Sequence, residues 1–331
     1  PAMASSSKSS PWFAPLIVCA FLACTANGYN PLSAGYYDRS CPSVQHVVRS
    51  VMEWKVAANP AMAPAVLRLF FHDCFVTGCD ASVLLDSTSD LESDKDSELN
   101  DSLAGFHVID EIKSLLERAC PGTVSCADVL ALASRDAVAL LGGPAWAVPL
   151  GRKDARAANK SAAEAYLPSP HDNITALISA FAAHGLDARD MVALSGAHTV
   201  GKARCHHYRA RVYGYDGEGG DSEIDPAFAE LRRETCGAGG DDAEAPFDEQ
   251  SPMRFDNAYY KDLVARRGLL TSDQALYGCG GPLDRLVEMY SVDGEAFTRD
   301  FVVAMVKMGN IPPPPGMPLE VRLDCKRINN Y

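Results

Sequence analysis

The number of cysteines limits most strongly what this chain can become. The 331-residue sequence contains eleven of them, and their role depends on the compartment in which the chain folds. In a reducing cytosol so many thiols indicate metal sites, whereas in an oxidising compartment they indicate disulfide bonds. The first thirty residues, where a signal for export would lie, therefore distinguish metal sites from disulfide bonds.

An uncharged apolar run near the N-terminus indicates export. Lys8 precedes residues 12–26, which carry no charge. A basic residue, an apolar run and then small residues form the pattern of a secretory signal peptide, and this run is too short to span a bilayer comfortably. We expect residues 1–28 to be this signal, with cleavage after Ala26 or after Gly28; a buried N-terminal helix is the alternative.

Export would leave an odd number of cysteines in an oxidising space. Cys19 and Cys24 would depart with the signal, and nine cysteines would remain. One thiol must then stay free or pair with another chain. Three sequons, which begin at Asn100, Asn159 and Asn173, fit the same compartment. The mature chain is therefore expected to be secreted and disulfide-bonded.

The composition is that of a globular protein with a sizeable core. Hydrophobic residues make up 47% of the chain and charged residues 22%, which argues against disorder and extended coiled coils. The chain has 43 acidic residues and only 30 Lys and Arg, so we expect no nucleic acid partner. We expect residues 29–331 to form a single domain without a membrane segment and to act as a monomer.

Hydrophobic periodicity predicts an all-α fold. Apolar residues recur at helical spacing in several segments, and alternating strand patterns are scarce. Residues 216–246 are rich in Gly and acids, and we expect a solvated loop there. The segments with helical periodicity are 44–56, 61–71, 106–119, 127–141, 174–184, 191–194, 257–266 and 297–308.

Residues 68–82 hold the densest chemistry. Arg68 and His72 are four residues apart in an apolar helix, so they share one face and can address one small ligand. A histidine can move a proton near neutral pH, and an arginine can stabilise developing negative charge. A structural pair on the surface is the plainer alternative for these two residues.

The end of the same segment offers hard oxygen ligands. Asp73, Asp80 and the Ser82 hydroxyl surround a tight turn at Gly78, and oxygen atoms of this kind are the ligands that calcium prefers. Turn and capping residues are the more common explanation for such a cluster. The spacing alone does not decide between these two interpretations.

A second concentration surrounds His198, in the stretch Ala-Leu-Ser-Gly-Ala-His-Thr-Val-Gly at 193–201. A core histidine with a satisfied ring is the common case for such a position. Asp248, Ser251, Asp256 and Asp273 follow later in the chain. On spacing alone these four are capping residues and solvated acids.

Taken together, these segments resemble the secreted plant haem peroxidases (class III). The likeness runs from about Tyr36 to Cys325, nearly the whole mature chain. Two long signatures carry it, Arg-Leu-Phe-Phe-His-Asp-Cys-Phe at 68–75 and Asp-Met-Val-Ala-Leu-Ser-Gly-Ala-His-Thr-Val-Gly at 190–201. Shorter matches are Val-Ser-Cys-Ala-Asp at 124–128, Pro-Leu-Gly-Arg-Lys-Asp at 149–154 and Met-Gly-Asn at 308–310.

The resemblance implies a haem peroxidase fold, in which one haem b lies between a distal and a proximal helical half. In the distal half, His72 would move the proton of hydrogen peroxide and Arg68 would stabilise charge as the O–O bond breaks. Phe71 would wall the pocket and Asn100 would hydrogen-bond His72. The carbonyl of Pro168 would contact donors at the haem edge.

In the proximal half, the resemblance makes His198 the axial ligand of the haem iron. Asp273 would hydrogen-bond the other ring nitrogen of His198, and Phe247 would lie against the ring. An anionic partner makes an imidazole a stronger donor to a metal.

The implied activity is that of a donor:hydrogen-peroxide oxidoreductase. It would reduce hydrogen peroxide and oxidise small phenolic donors in two one-electron steps. The implied roles are removal of hydrogen peroxide, lignin and suberin metabolism and the response to oxidative stress, and the implied location is the apoplast or cell wall.

The resemblance also implies two calcium ions and four disulfides. Because Thr199 follows His198 directly, we expect chelation to loosen the haem as well. The first calcium would be bound by Asp73, Val76, Gly78, Asp80 and Ser82, and the second by Thr199, Asp248, Ser251 and Asp256 with a carbonyl from Arg254. The disulfides would join Cys41 to Cys120, Cys74 to Cys79, Cys126 to Cys325 and Cys205 to Cys236, with Cys279 left over.

The sequence departs from the family pattern in three places. The segment after Asn100 is one residue short, and Asp94 stands where the family usually has a glutamate that backs the first calcium. The four prolines at 312–315 have no evident function.

Two other functions are compatible with parts of the sequence. A secreted, calcium-binding wall protein of the same fold with little turnover would be expected to have lost Arg68, His72 or His198, yet all three are present. A hydrolase based on Ser195 and His198 would need a nucleophile elbow, and the Gly-x-Ser-x-Gly pattern is absent there.

Overall fold

The computed structural model describes Pro1 and residues 32–89, 91–214 and 223–330. Residues Leu32–Tyr331 form one compact unit. Apart from Pro1, the signal peptide predicted over 1–28 lies outside the described residues. Among the described residues, no helix has the length and apolar character needed to cross a membrane.

The prediction of an all-α fold is confirmed. The described residues contain only two small antiparallel sheets, one of β1 (Asp154–Ala155) with β4 (Leu319–Glu320) and one of β2 (Lys202–Arg204) with β3 (Glu244–Pro246). Their helices are α1 (Val44–Ala58), α2 (Met62–Thr77), α3 (Phe106–Ala119), α4 (Cys126–Leu140), α5 (Lys160–Tyr166), α6 (Ile174–Ala183), α7 (Ala188–Ser195), α8 (Cys205–Tyr213), α9 (Pro226–Gly239), α10 (Ala258–Val264), α11 (Thr271–Gln274), α12 (Pro282–Val292) and α13 (Gly294–Gly309).

Helix α2 lies at the centre of the main core, packed against α4. It is buried on nearly every side, which explains its high apolar content. It extends six residues beyond the predicted end at 71 and stops at Gly78, which has a φ of +82°. A Cβ there would lie 2.5 Å from the carbonyl oxygen of Pro312. The proline run thus packs against the turn that ends α2, and only glycine fits at this contact.

The expectation of a solvated loop over 216–246 is wrong for residues 226–239, and its first part, 216–222, lies outside the described residues. Residues 226–239 form α9, because Asp225 caps its start by accepting from Phe228 N at 2.9 Å and Pro226 occupies the first turn. Phe228 and Cys236 are buried on the face of α9 that packs on α8. The composition obscured these buried positions because Gly and Glu surround them.

The four disulfides that the resemblance implied are present, and Cys279 is free and exposed. One of them joins the C-terminal segment to the start of α4, across 199 residues of sequence. The pairs are Cys41–Cys120, Cys74–Cys79, Cys126–Cys325 and Cys205–Cys236.

Candidate active site

The distal pair lies in the middle of α2, where helical spacing places Arg68 and His72 on one face. Arg68 Nε donates to His72 Nε2 at 3.1 Å. The other guanidinium nitrogens of Arg68 donate to Ser102 Oγ at 2.9 Å and to the carbonyl oxygen of Leu99 at 3.2 Å. The guanidinium therefore has three hydrogen-bond partners, one of which is the imidazole of His72.

The partners of His72 fix its tautomer. Its Nδ1 lies 2.7 Å from Asn100 Oδ1, and Asn100 Nδ2 donates to the carbonyl oxygen of Asp94 at 2.7 Å. Because the amide nitrogen is engaged in that way, the oxygen faces the ring and can only accept. The Nδ1 atom of His72 therefore carries the proton, and Nε2 keeps its lone pair.

This arrangement also bears on the sequon at Asn100. The side chain is buried, and both its amide atoms are occupied by His72 and Asp94. An attached glycan would need the nitrogen that donates to Asp94. Of the two roles considered for Asn100, the structure has the hydrogen bond to His72.

Burial keeps the distal histidine neutral. Desolvation, together with the nearby Arg68, lowers the pKa of His72 to about 3, although the bond to Asn100 opposes the shift. Burial also lowers the pKa of Arg68, to about 10, so the guanidinium stays charged at neutral pH. The pair thus offers an unprotonated nitrogen beside a permanent cation.

The proximal histidine has a different partner. His198 lies in the short helical turn Gly196–Thr199 after α7, and its Nδ1 is 2.7 Å from Asp273 Oδ1. Asp273 also accepts from Tyr259 Oη at 3.0 Å and from Leu270 N at 2.8 Å. The Phe247 ring stacks on the imidazole at 4.0 Å with an interplanar angle of 3°. These contacts fix the ring plane.

The geometry at His198 is compatible with metal ligation. A carboxylate on Nδ1 leaves Nε2 as the nitrogen available for a metal, and the His198 side chain is still 36% exposed. The tight turn after it approaches the start of α2, since a Cβ on Gly201 would lie 3.3 Å from Pro64. The proximal loop and the distal helix are therefore neighbours.

Phe71 and Pro168 are both half-buried, and the two helices that flank the Pro168 loop both contact α2, α5 directly and α6 through Phe181 against Phe71. The half-buried Phe71 ring is 5.8 Å from the His72 ring in an edge-on arrangement. Pro168 is partly exposed in the loop between α5 and α6. The loop is tied to the proximal side because Ser272 N donates to the carbonyl oxygen of Pro170 at 3.0 Å.

The first group of predicted calcium ligands lies together at the end of α2. Asp73 Oδ2 accepts from Ala81 N at 3.0 Å, and Asp80 Oδ1 accepts from Ser82 N at 3.0 Å. Asp73 Oδ1 is buried with no hydrogen-bond partner. A buried carboxylate oxygen without a partner is costly, and a cation would satisfy it. Val76 and Gly78 are buried in the same loop.

The electrostatics of this cluster also favour a cation. Burial raises the pKa of Asp73 well above its ordinary value, with Asp80 and Asp94 adding to the effect, and burial raises the pKa of Asp80 to about 7. Asp94, which is shorter than the glutamate expected at this position, accepts from Ser82 Oγ at 2.9 Å and from Asn159 N at 2.5 Å. The cluster therefore contains more buried carboxylate charge than its neighbours offset.

The second group of predicted ligands lies beside His198. Thr199 Oγ1 is 3.2 Å from Asp248 Oδ2 and 3.5 Å from Asp256 Oδ1. Ser251 Oγ donates to the same two acids at 3.2 and 3.0 Å. In the described part of the chain, no three His, Cys, Asp or Glu side chains share one metal-sized space. Either site would thus depend on hydroxyl and carbonyl oxygens as well as acids.

Sequence reasoning missed several residues that position this site. Tyr259 supports Asp273, and Ser102 supports Arg68. Arg322 is fully buried and donates to the carbonyl oxygen of Ala81, between two of the calcium-ligand candidates. No spacing pattern could have revealed these contacts, because tertiary packing forms them across 14 residues for Tyr259 and Asp273, 34 for Ser102 and Arg68, and 241 for Arg322 and Ala81.

Comparison with known proteins identifies the family. The family model described as "Peroxidase" matches residues 48–293. Peroxidase P7 of Brassica rapa subsp. rapa is 48% identical over 302 residues, which cover 90% of this chain and all of that protein. Peroxidase 70 of Zea mays is 45% identical over 331 residues, 99% of this chain and all of that protein. The lignin-forming anionic peroxidase of Nicotiana sylvestris is 46% identical over 300 residues, 90% of this chain and 91% of that protein.

A family match over most of the described chain agrees with the mostly helical fold. The activity that follows from this membership is that of a peroxidase. The chain belongs to the plant class III peroxidase family.

Proposed function

We propose that this protein is a secreted, calcium-containing haem peroxidase that oxidises small phenolic donors with hydrogen peroxide. The observation that carries the proposal is the contrast between its two site histidines. His72 is buried, neutral and unprotonated at Nε2, whereas His198 is paired with a carboxylate and has Nε2 free for a metal. A peroxidase needs a proton carrier on one side and an iron ligand on the other.

His72 would move one proton during the reaction. Its Nε2 lone pair would accept the proton from one oxygen of hydrogen peroxide, and the imidazolium would then deliver it to the other oxygen, which leaves as water. Arg68 stabilises the negative charge that develops as the O–O bond breaks. Asn100 accepts from Nδ1–H throughout, so Nε2 is the nitrogen that gains and releases the proton.

Residues on the proximal side would hold and tune the cofactor. One haem b, bound through His198 Nε2, would supply the electrons that split the O–O bond and would recover them from donors one at a time. The Asp273 carboxylate increases the electron donation of His198, and Tyr259 and Leu270 N keep that carboxylate in place.

Phenolic donors would approach beside Pro168, whose loop borders the distal side. The name of one relative, a lignin-forming anionic peroxidase, supports phenols as the donor class. The proposed physiological roles follow from this chemistry: removal of hydrogen peroxide, lignin and suberin metabolism and the response to oxidative stress. We propose that the enzyme acts as a monomer in the apoplast or cell wall, after removal of residues 1–28.

Two calcium ions would complete the structure. The unpartnered Asp73 Oδ1 and the raised pKa values of Asp73 and Asp80 support the first site. The second site shares Thr199 with the turn that carries His198, so its occupancy should affect the haem. The carbonyl of Arg254 would complete this second site.

An absorption spectrum of the purified protein tests the proposal, followed by addition of peroxide and guaiacol. We expect a Soret band that shifts with peroxide and returns as guaiacol is oxidised. Absence of haem would contradict the proposal. Haem without guaiacol turnover would favour the wall protein of the same fold that acts by binding.

A further inference from the structure

One tyrosine stands apart from the others in its exposure. Tyr166 is 51% exposed, while every other tyrosine among the described residues is buried or half-buried. It lies at the end of α5, two residues before Pro168 in the loop that borders the distal side. The role proposed for that loop does not use its phenol.

A continuous series of aromatic rings leads from Tyr166 to the distal pocket. The Tyr166 ring meets His184 edge-on, with centroids 6.2 Å apart. His184 lies 4.6 Å from Phe75, and Phe75 lies 4.3 Å from Phe71. Phe71 is the ring beside His72. The solvent-facing phenol is therefore linked to the pocket wall by neighbouring rings whose centroids are 4.3 to 6.2 Å apart.

Such a path suits electron transfer. Electrons tunnel faster through packed atoms than across gaps, and the phenol of tyrosine is one of the easiest side chains to oxidise. Removal of an electron makes a phenol strongly acidic, so an oxidised tyrosine must release its proton. The exposure of Tyr166 gives that proton direct access to water. The phenyl and imidazole rings between it and Phe71 need only conduct.

We propose that Tyr166 is a second donor site, at which phenols carried on a polymer are oxidised without entering the distal pocket. The proposal rests on the peroxidase function proposed above. Tyr166 gives one electron to the haem site and its phenolic proton to water, which leaves a neutral phenoxyl radical. A phenol of the polymer then transfers a hydrogen atom to this radical and restores Tyr166. Two such cycles with one hydrogen peroxide yield two water molecules and two phenoxyl radicals on the polymer.

A spin-trap experiment tests the site without measuring turnover. The haem-loaded protein is treated with hydrogen peroxide and a nitroso spin trap in the absence of donor, then deglycosylated and digested with trypsin. Residues 161–189 form one tryptic peptide, in which Tyr166 is the sole tyrosine and which has no Trp, Met or Cys. We expect the trap adduct on this peptide, and its absence from the peptide when Tyr166 is replaced by Phe. An unmodified wild-type peptide would overturn the proposal.

A polymer-bound phenol tests the consequence, with tyramine-dextran as the bulky donor and guaiacol as the small one. Tyr166→Phe should slow oxidation of tyramine-dextran at least tenfold and leave guaiacol turnover within twofold. Tyr166→Trp should restore most of the lost rate, because an indole is also oxidisable. Trp54→Phe is the matched control, since Trp54 is 59% exposed but no aromatic ring in the described part of the chain contacts it.

The outcomes separate this proposal from the function on which it rests. If wild-type protein oxidises guaiacol and Tyr166→Phe oxidises tyramine-dextran as fast as wild type, only the second donor site is excluded. Equal losses for the two donors would also exclude it, because they would show a general defect. A wild-type protein that fails with guaiacol would overturn both proposals.

Discussion

The distal and proximal sides of the molecule use the same residue type with opposite partners. His72 donates Nδ1–H to the neutral amide oxygen of Asn100, and His198 pairs Nδ1 with the carboxylate of Asp273. An amide fixes the tautomer without adding charge, whereas a carboxylate also stabilises positive charge on the ring and on a bound metal. One imidazole therefore suits proton transfer and the other suits metal ligation.

Burial strengthens the difference. His72 is 8% exposed and lies beside the cation Arg68, so its pKa falls to about 3. The His198 side chain is 36% exposed and stacks on Phe247. The partner and the surroundings of a histidine decide its role, and the sequence shows neither of them directly.

Removal of the distal base should have the largest effect. His72→Ala should slow the reaction with hydrogen peroxide by ~10²–10⁴-fold, because it removes the base that carries the proton. Stopped-flow absorption of the haem-loaded variant measures this rate. Near-normal peroxide reactivity in a correctly folded His72→Ala would show that His72 is not the proton carrier.

Replacement of the proximal carboxylate should have the next largest effect. Asp273→Asn keeps the shape but removes the charge behind His198, and changes of this kind cost about 10–100-fold in activity or affinity. The ferric/ferrous reduction potential should rise, because the weaker donor stabilises the ferric state less. Spectroelectrochemical titration measures it. Asp284→Asn is the control, because Asp284 accepts from Gly278 N and Gly280 N and is bonded to none of the proposed haem or calcium residues. An unchanged or lower potential in Asp273→Asn would contradict the account.

An exchange of partner type on the distal side sharpens the comparison. In Asn100→Asp a carboxylate would accept Nδ1–H and stabilise the imidazolium, so the pKa of His72 should rise from its value of about 3. The protein loses its base as pH falls through this pKa, so the acid limb of the peroxide reaction should move up by at least ~1 pH unit. A pH profile of the bimolecular rate tests this, and an unmoved acid limb would show that the partner of Nδ1 does not set the basicity.

The smallest expected effect is a difference in haem loss between variants of the two calcium sites. Asp256→Asn weakens the cluster that contains Thr199, next to His198, and Asp80→Asn is the matched change at the end of α2. We expect the proximal variant to transfer its haem to apomyoglobin roughly tenfold faster than wild type, and the distal variant to change this rate less. Chelation should reproduce the proximal effect. Equal haem loss from the two variants would show that calcium acts only on global stability.

The sequence predicted the fold class and most helices, because buried helices carry strong apolar periodicity. It failed for α9, where four charged residues lie between the buried Phe228 and Cys236 and glycines follow Cys236. Short elements such as α5 were also missed, since seven residues contain too few turns for periodicity to emerge. The predicted end of α2 was too early, because the apolar pattern stops at the polar residues His72 and Asp73, although both are buried in the helix.

Within the site, the resemblance supplied the histidines and their direct partners Asn100, Asp273 and Phe247. It did not supply the residues that hold those partners and Arg68 in place. The bond between Asn100 and His72 depends on the path of a segment that differs from the family pattern. Tyr259 and Arg322 reach the site through tertiary packing alone. The contact of the proline run could also be identified only from the structure, where Pro312 packs against Gly78.

The most direct test of the central claim compares haem binding and peroxide response in His72→Ala and His198→Ala. The account predicts that His72→Ala retains a Soret band that hardly responds to peroxide. It predicts that His198→Ala binds haem poorly and regains the Soret band when imidazole is added. Retained haem in His198→Ala together with lost haem in His72→Ala would contradict the assignment of the two histidines.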